Sequence, residues 1–87
     1  MSQDQVVIVA ARRTPIGAFQ GTLTAVSSPQ LSATATRACL EDAGLDGNDI
    51  SHAIIGCVLQ AGLGQAPARQ AALGAGLGDS VDCTTVN

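Results

Sequence analysis

Eighty-seven residues allow one small domain at most, and a chain of that length buries only about 60–65% of the surface its unfolded form exposes. Apolar residues make up 46% of the sequence, yet Phe19 is the one aromatic and much of the rest is alanine, so a core built from them is thin and points to packing against something further. A net charge of −3, with Arg12, Arg13, Arg37 and Arg69 as the basic residues, argues against a nucleic-acid partner, and the absence of lysine excludes a P-loop or a Schiff-base amine within this sequence.

In chain order, Gln5–Ala11 (QVVIVAA) is a continuous apolar run rich in β-branched residues, the pattern of a strand covered on both faces in a parallel sheet. Arg12, Arg13, Thr14 and Pro15 end it. A connection rich in Gly, Thr and Ser follows over Ile16–Ser28, with Phe19 expected to anchor it. Ser28 and Pro29 open the clearest helix, with Ser28 as the expected cap and Pro29 at the first helical position, where a missing N–H costs nothing. Leu31, Ala35, Ala38 and Cys39 then share a face. Gly44 is the expected stop, with Leu45 folding back toward Leu40. Glu41 and Asp42 place negative charge at the negative end of this helix, a local cost the sequence does not resolve.

Leu45–Ser51 reads as a polar link, and Ala53–Gln60 as a second strand, so that strand, helix and strand form a βαβ unit. A Gly-rich loop, Ala61–Gln65, leads to a short helix expected over Pro67–Ala75. Ser80–Asn87, with Val81, Cys83, Thr84, Thr85 and Val86, reads as a third strand. It reaches the last residue without a turn or stop signal, and we read the sequence as the opening segment of a larger α/β enzyme. No internal repeat or low-complexity tract interrupts the pattern.

The longest apolar runs, Val6–Ala11 and Ala53–Leu59, fall well short of the ~20 residues that cross a bilayer, so no membrane partner is expected. No basic start precedes an apolar stretch as in a secretory signal. Cys39, Cys57 and Cys83 are an odd set without CxxC spacing, which fits buried free thiols in a reducing, cytoplasmic setting.

Few residues here suggest chemistry. Gly74, Gly76 and Gly78 begin like a dinucleotide fingerprint, but Asp79 occupies the position of its last glycine and the run ends a helix instead of opening one. His52 reads as a partly exposed residue at the entrance to the second strand. A pairing with Cys57 or Cys83 is conceivable, yet Cys39 falls mid-helix and the other two fall in strands, not at a helix N-terminus or beside a cation. Metal binding by so few ligands is not expected. Asp46, Asp49, Asp79 and Asp82 read as solvated. Arg12 and Arg13 lie where a parallel strand ends, the usual ligand side of such a sheet, or simply in a surface loop with one arginine on a neighbouring carbonyl. Arg69 reads as a solvated residue or a partner contact.

Several runs nevertheless resemble the thiolase family. They are Val6–Gly17 (VVIVAARRTPIG), Phe19–Leu23 (FQGTL), Ile54–Gln60 (IIGCVLQ), Gly64–Ala71 (GQAPARQA) and Cys83–Asn87 (CTTVN), and they span nearly the whole chain in order. Position 66 is Ala where many biosynthetic members carry Asn. The Gln-Ala-Pro form with the Cys-Thr-Thr strand is similar to the acetoacetyl-CoA thiolase (acetyl-CoA C-acetyltransferase) branch.

The resemblance implies an α/β fold in which residues 1–87 are an incomplete N-terminal portion of the thiolase N-terminal domain. That portion is a βαβαβ segment of a mixed five-stranded sheet layered with helices. It implies condensation of two acetyl-CoA to acetoacetyl-CoA, or the reverse thiolysis, with coenzyme A thioesters as substrates and no permanently bound cofactor. The family's nucleophilic cysteine opens the helix that follows the Thr-Thr-Val-Asn strand, a thiolate favoured by the helix dipole, with an oxyanion hole for the developing charge. By this pattern it falls just beyond Asn87, so no catalytic residue carries over, no CoA-binding residue is assigned, and the segment alone is expected to be inactive. The resemblance also implies the remainder of the polypeptide as a partner, and a homodimer or homotetramer with Thr84, Thr85, Val86 and Asn87 near the dimer interface. A thiolase of longer acyl range, or a non-catalytic α/β interaction module keeping part of the scaffold, are the competing readings.

Overall fold

The computed structural model describes residues 4–87. Its elements follow in order: helix α1 (Ser28–Ala43), a single 3-10 turn (Gly47–Asp49), strand β1 (His52–Gly56), helix α2 (Pro67–Gly74) and strand β2 (Asp82–Val86).

Helix α1 starts one residue earlier than its sequence suggests. Ser27, not Ser28, is the cap: its hydroxyl accepts from the Gln30 amide while the Gln30 side chain accepts from the Ser27 amide, a reciprocal capping box. The expected stop is present, with Gly44 left-handed (φ 68°), its amide donating to Glu41 and that of Leu45 to Leu40. The polar link is more ordered than a plain linker. Asp46 accepts from the Asn48 amide and Asp49 from the Asp46 amide, closing the 3-10 turn.

Strands β1 and β2 pair in parallel, His52 opposite Asp82 through to Gly56 opposite Val86, and α2 is the crossover between them. Both strands end earlier than the sequence runs suggest, so Val58 and Leu59 lie in the exposed loop and not in β1. One face of the pair turns inward with Ala53, Ile55, Cys83 and Thr85 half-buried. The other leaves His52, Ile54, Gly56, Asp82, Thr84 and Val86 exposed.

Helix α2 packs against both strands and against α1. Its buried residues Pro67, Ala68, Ala71 and Ala72 form one stripe, continued by Ala75 just past its end. With Ala33, Leu77 and Val81 these make the core, in which no buried side chain exceeds leucine in size.

Two expectations are corrected here. Gln5–Ala11 is not a strand: among the described residues no backbone hydrogen bond involves it, and Val6 and Ile8 are 100% and 90% exposed. A covered parallel strand exists only through a paired neighbour and two covering layers, and this segment has neither. The βαβ unit therefore runs β1–α2–β2 and does not include the first run. Phe19 anchors nothing, being 93% exposed on a loop held by its own turns at Gly21, Thr24 and Val26.

Gly47 is where the 3-10 turn meets the α2–β2 connection, and a Cβ there would overlap the backbone carbonyl of Gly76. Gly47→Ala should therefore lower stability by about 1–3 kcal/mol, seen as a lower urea midpoint with an unchanged m-value.

Candidate functional site

Ligands of open parallel sheets gather beyond the carboxyl ends of the strands. Here that end is formed by Gly56 and Val86, the loop from Cys57 to Ala66, and the N-terminus of α2. The Cys57 amide donates to the Val86 carbonyl at 2.7 Å and extends the ladder by one residue. Its side chain is buried, with the thiol near the Leu59 carbonyl. The Gln60 amide group donates to the Cys57 carbonyl.

Two side chains fix this loop against α2. Gln70, on the first turn of the helix, donates to the carbonyls of Leu63 and Gln65, each at 2.7 Å. Thr85, from β2, accepts from the Ala68 amide at 3.0 Å. The second bond is a helix cap supplied from a distant strand. Ala66, at the cap position itself, has no side chain for the task and stands in the left-handed region (φ 49°). Asn tolerates that conformation better than Ala, so the alanine here sits under local strain.

The remaining candidates are dispersed. His52 lies at the opposite end of β1 from Cys57, roughly 16 Å away at strand spacing, and its Nε2 meets Thr84 Oγ1 at 3.2 Å on the exposed sheet face. Cys39 is half-buried in α1 and Cys83 is half-buried on β2, its thiol near the Val81 carbonyl. No cysteine pairs with the histidine. Asp46 and Asp49 serve the 3-10 turn; Asp79 and Asp82 are exposed. Among the described residues no three His, Cys, Asp or Glu side chains gather where they could hold a metal ion, and no helix is long and apolar enough to cross a membrane.

Arg12 answers the misplaced charge at the end of α1. Its Nε donates to Asp42 Oδ2 at 2.6 Å, and a terminal nitrogen reaches Oδ1. That hydrogen bond holds the Asp42 carboxyl below its ordinary range and raises the Arg12 guanidinium. Arg13 meets only the Thr14 carbonyl, and Arg37 donates to the Gly74 carbonyl at the end of α2. Both arginines are exposed, Arg12 spent on Asp42 and Arg13 on a neighbouring carbonyl. The Thr85 cap has no sequence signature, because it joins residues 17 positions apart that only the tertiary fold brings together, whereas the Gln70 clamp is a local contact to the loop just before its helix.

Removing the Thr85 hydroxyl strands the Ala68 amide. Thr85→Val should cost about 1–2 kcal/mol and speed exchange of that amide, whereas Thr85→Ser should retain both. A depressed carboxyl pKa contributes stability that is complete above the ordinary aspartate range and disappears as pH falls through the lowered value. Acidification through the lowered Asp42 value, below the ordinary aspartate range, should therefore release Arg12 and sharpen the amide resonances of residues 8–14, and Asp42→Asn should give the same result at neutral pH.

Comparison with known proteins agrees with this scaffold. Residues 6–87 match the family described as thiolase, N-terminal domain. The mitochondrial acetyl-CoA acetyltransferase of Xenopus tropicalis is 50% identical over 84 residues, 97% of this chain and 20% of that protein. The human mitochondrial acetyl-CoA acetyltransferase is 49% identical over 95% of this chain and 19% of its own length. An acetyl-CoA acetyltransferase of Pseudomonas aeruginosa is 51% identical over 94% of this chain and 21% of its own. The crystal structure of Acat5 thiolase from Ascaris suum in complex with coenzyme A superposes with a TM-score of 0.88 at 38% identity, over 91% of this chain and 21% of that one. The chain thus spans about a fifth of the length of the relatives it matches. The mitochondrial relatives from Xenopus and human overturn the cytoplasmic expectation. Unpaired cysteines separate reducing from oxidising compartments and do not distinguish one reducing compartment from another. With the family match over nearly its full length and the fold shared with a solved member, this chain belongs to the thiolase family.

Proposed function

We propose that the chain is the N-terminal scaffold portion of an acetyl-CoA acetyltransferase, an enzyme that condenses two acetyl-CoA to acetoacetyl-CoA or runs the reverse thiolysis. The supporting observation is the identity of about half to proteins named for that activity, carried across 94–97% of this chain. Coenzyme A thioesters are the substrates in this reading, and no cofactor is held permanently.

Its contribution is architectural. The β1–β2 pair sets a parallel ladder, and the Thr85 bond to Ala68 fixes the carboxyl end of β2 against α2. The nucleophile comes from outside these residues. Cys39 sits within a helix, Cys57 is buried behind its loop and Cys83 faces the core, so none offers an accessible thiolate at a helix N-terminus. The segment is therefore inactive by itself. Its partner is the remaining four-fifths of a thiolase polypeptide, which covers the outward face carrying Ile54 and Val86. Oligomerisation, as a dimer or tetramer, brings Thr84–Asn87 near a subunit interface.

A chimera tests this reading. The 87 residues replace the matching N-terminal fifth of the Pseudomonas aeruginosa relative, and consumption of acetoacetyl-CoA and CoA is followed. The isolated chain should show no turnover and the chimera should cleave acetoacetyl-CoA. A folded chimera without thiolysis, or turnover by the isolated chain, would contradict it.

A further inference from the structure

The carboxyl end of β2 is held in two directions, each by a hydrogen bond. Within the sheet, the Cys57 amide donates to the Val86 carbonyl at 2.7 Å, a backbone contact that no side chain controls. Across to the helix, the Ala68 amide donates to Thr85 Oγ1 at 3.0 Å, and this bond depends on one hydroxyl. Ala66, at the cap position of α2, has no side-chain group to compete for that amide. The inner stripe of Ala68, Ala71 and Ala72 offers the strands methyl groups, which set a distance by packing but not an orientation. Thr85 is also the last inward-facing residue of β2, opposite Ile55, before Val86 turns outward.

The first turn of α2 extends the constraint. Gln70, two residues past Ala68, donates to the Leu63 and Gln65 carbonyls, so strand end, helix start and the loop after β1 are joined as one unit. That unit stands at the carboxyl ends of a parallel pair, the side on which such sheets gather ligands. We propose that Thr85 is a positioning residue for thiolysis: acting through the end of β2, its hydroxyl orients the reacting groups that the rest of the polypeptide adds beyond this strand. The inference rests on the acetyltransferase reading above. A helix cap alone contributes stability, whereas an orienting contact also sets the geometry of attack, and a misplacement of about 1 Å can slow a reaction on the order of a hundredfold. Substrate affinity does not depend on that geometry, so the loss falls equally on kcat and kcat/KM.

The Pseudomonas aeruginosa chimera carries the test, with kcat and KM for acetoacetyl-CoA and CoA measured per folded enzyme. Thr85→Val and Thr85→Ala, two variants without the hydroxyl, should each lower kcat about tenfold while KM stays within about twofold. Thr85→Ser keeps the acceptor and should stay within about twofold of the parent in both. Gly47→Ala is the control: it strains the contact with Gly76, past the far end of α2, and lowers stability without touching the strand ends. Its kcat should remain within about twofold of the parent. An equal loss of kcat in Gly47→Ala, a Thr85→Ser variant as slow as Thr85→Val, or hydroxyl-less variants as fast as the parent would each overturn this proposal alone. A folded parent chimera without thiolysis would overturn the acetyltransferase reading together with it.

Discussion

Everything in this fold depends on how closely α2 approaches its neighbours. Its inner stripe of Ala68, Ala71 and Ala72, with Ala75 just beyond, carries nothing larger than a methyl group. Gly74 comes so near α1 that a Cβ there would stand 3.2 Å from that of Ala33. Small residues let the helix lie low on the β1–β2 pair, and that closeness is what brings the Thr85 hydroxyl within reach of the Ala68 amide. The same economy of volume recurs at Gly47, which lets the 3-10 turn meet the Gly76 carbonyl. Close-packed interiors transmit a change of even one methylene, so the geometry of the strand ends is set by these contacts.

The cost of a core made of alanine is that larger apolar side chains find no place in it. Ile54, Val58, Leu59 and Phe19 all stand mostly exposed, and burying any of them would be worth about 1.5–3 kcal/mol. Parallel sheets are ordinarily covered on both faces, and here α2 covers one. The chain matches about a fifth of each relative, and in the proposed reading the uncovered residues are those it presents to the rest of the polypeptide. The alanine core thus fixes the position of the strand ends while contributing little bulk.

Much of this was legible in the residues. Gly44 and Leu45 end α1 as their types require, and Pro67 opens α2. The quoted motifs led to the family that the comparisons show. The misses have physical causes. Gln5–Ala11 has the composition of a strand, but a strand is a pairing and not a composition, and its neighbours supply none. Ser27 and Ser28 are chemically equivalent caps, and only the Gln30 side chain, three residues on, selects Ser27. Asp42 looked unfavourable because helix-dipole reasoning is local, whereas its partner Arg12 arrives from thirty positions away. Of the candidate site, sequence could weigh Cys57 and His52 as types; their separation along β1 is a property of the strand. The compartment was misread because cysteine usage reports redox state alone.

The central claim, that close approach by α2 organises the molecule, is tested most directly by urea unfolding of Ala72→Leu beside Leu73→Ala. Ala72 is 2% exposed on the inner stripe and Leu73, the next residue, is 46% exposed. The account predicts that enlarging Ala72 lowers stability by about 1–3 kcal/mol, while trimming the far larger Leu73 changes it by less than about 1 kcal/mol. Tolerance of leucine at position 72, with the greater loss at position 73, would contradict it.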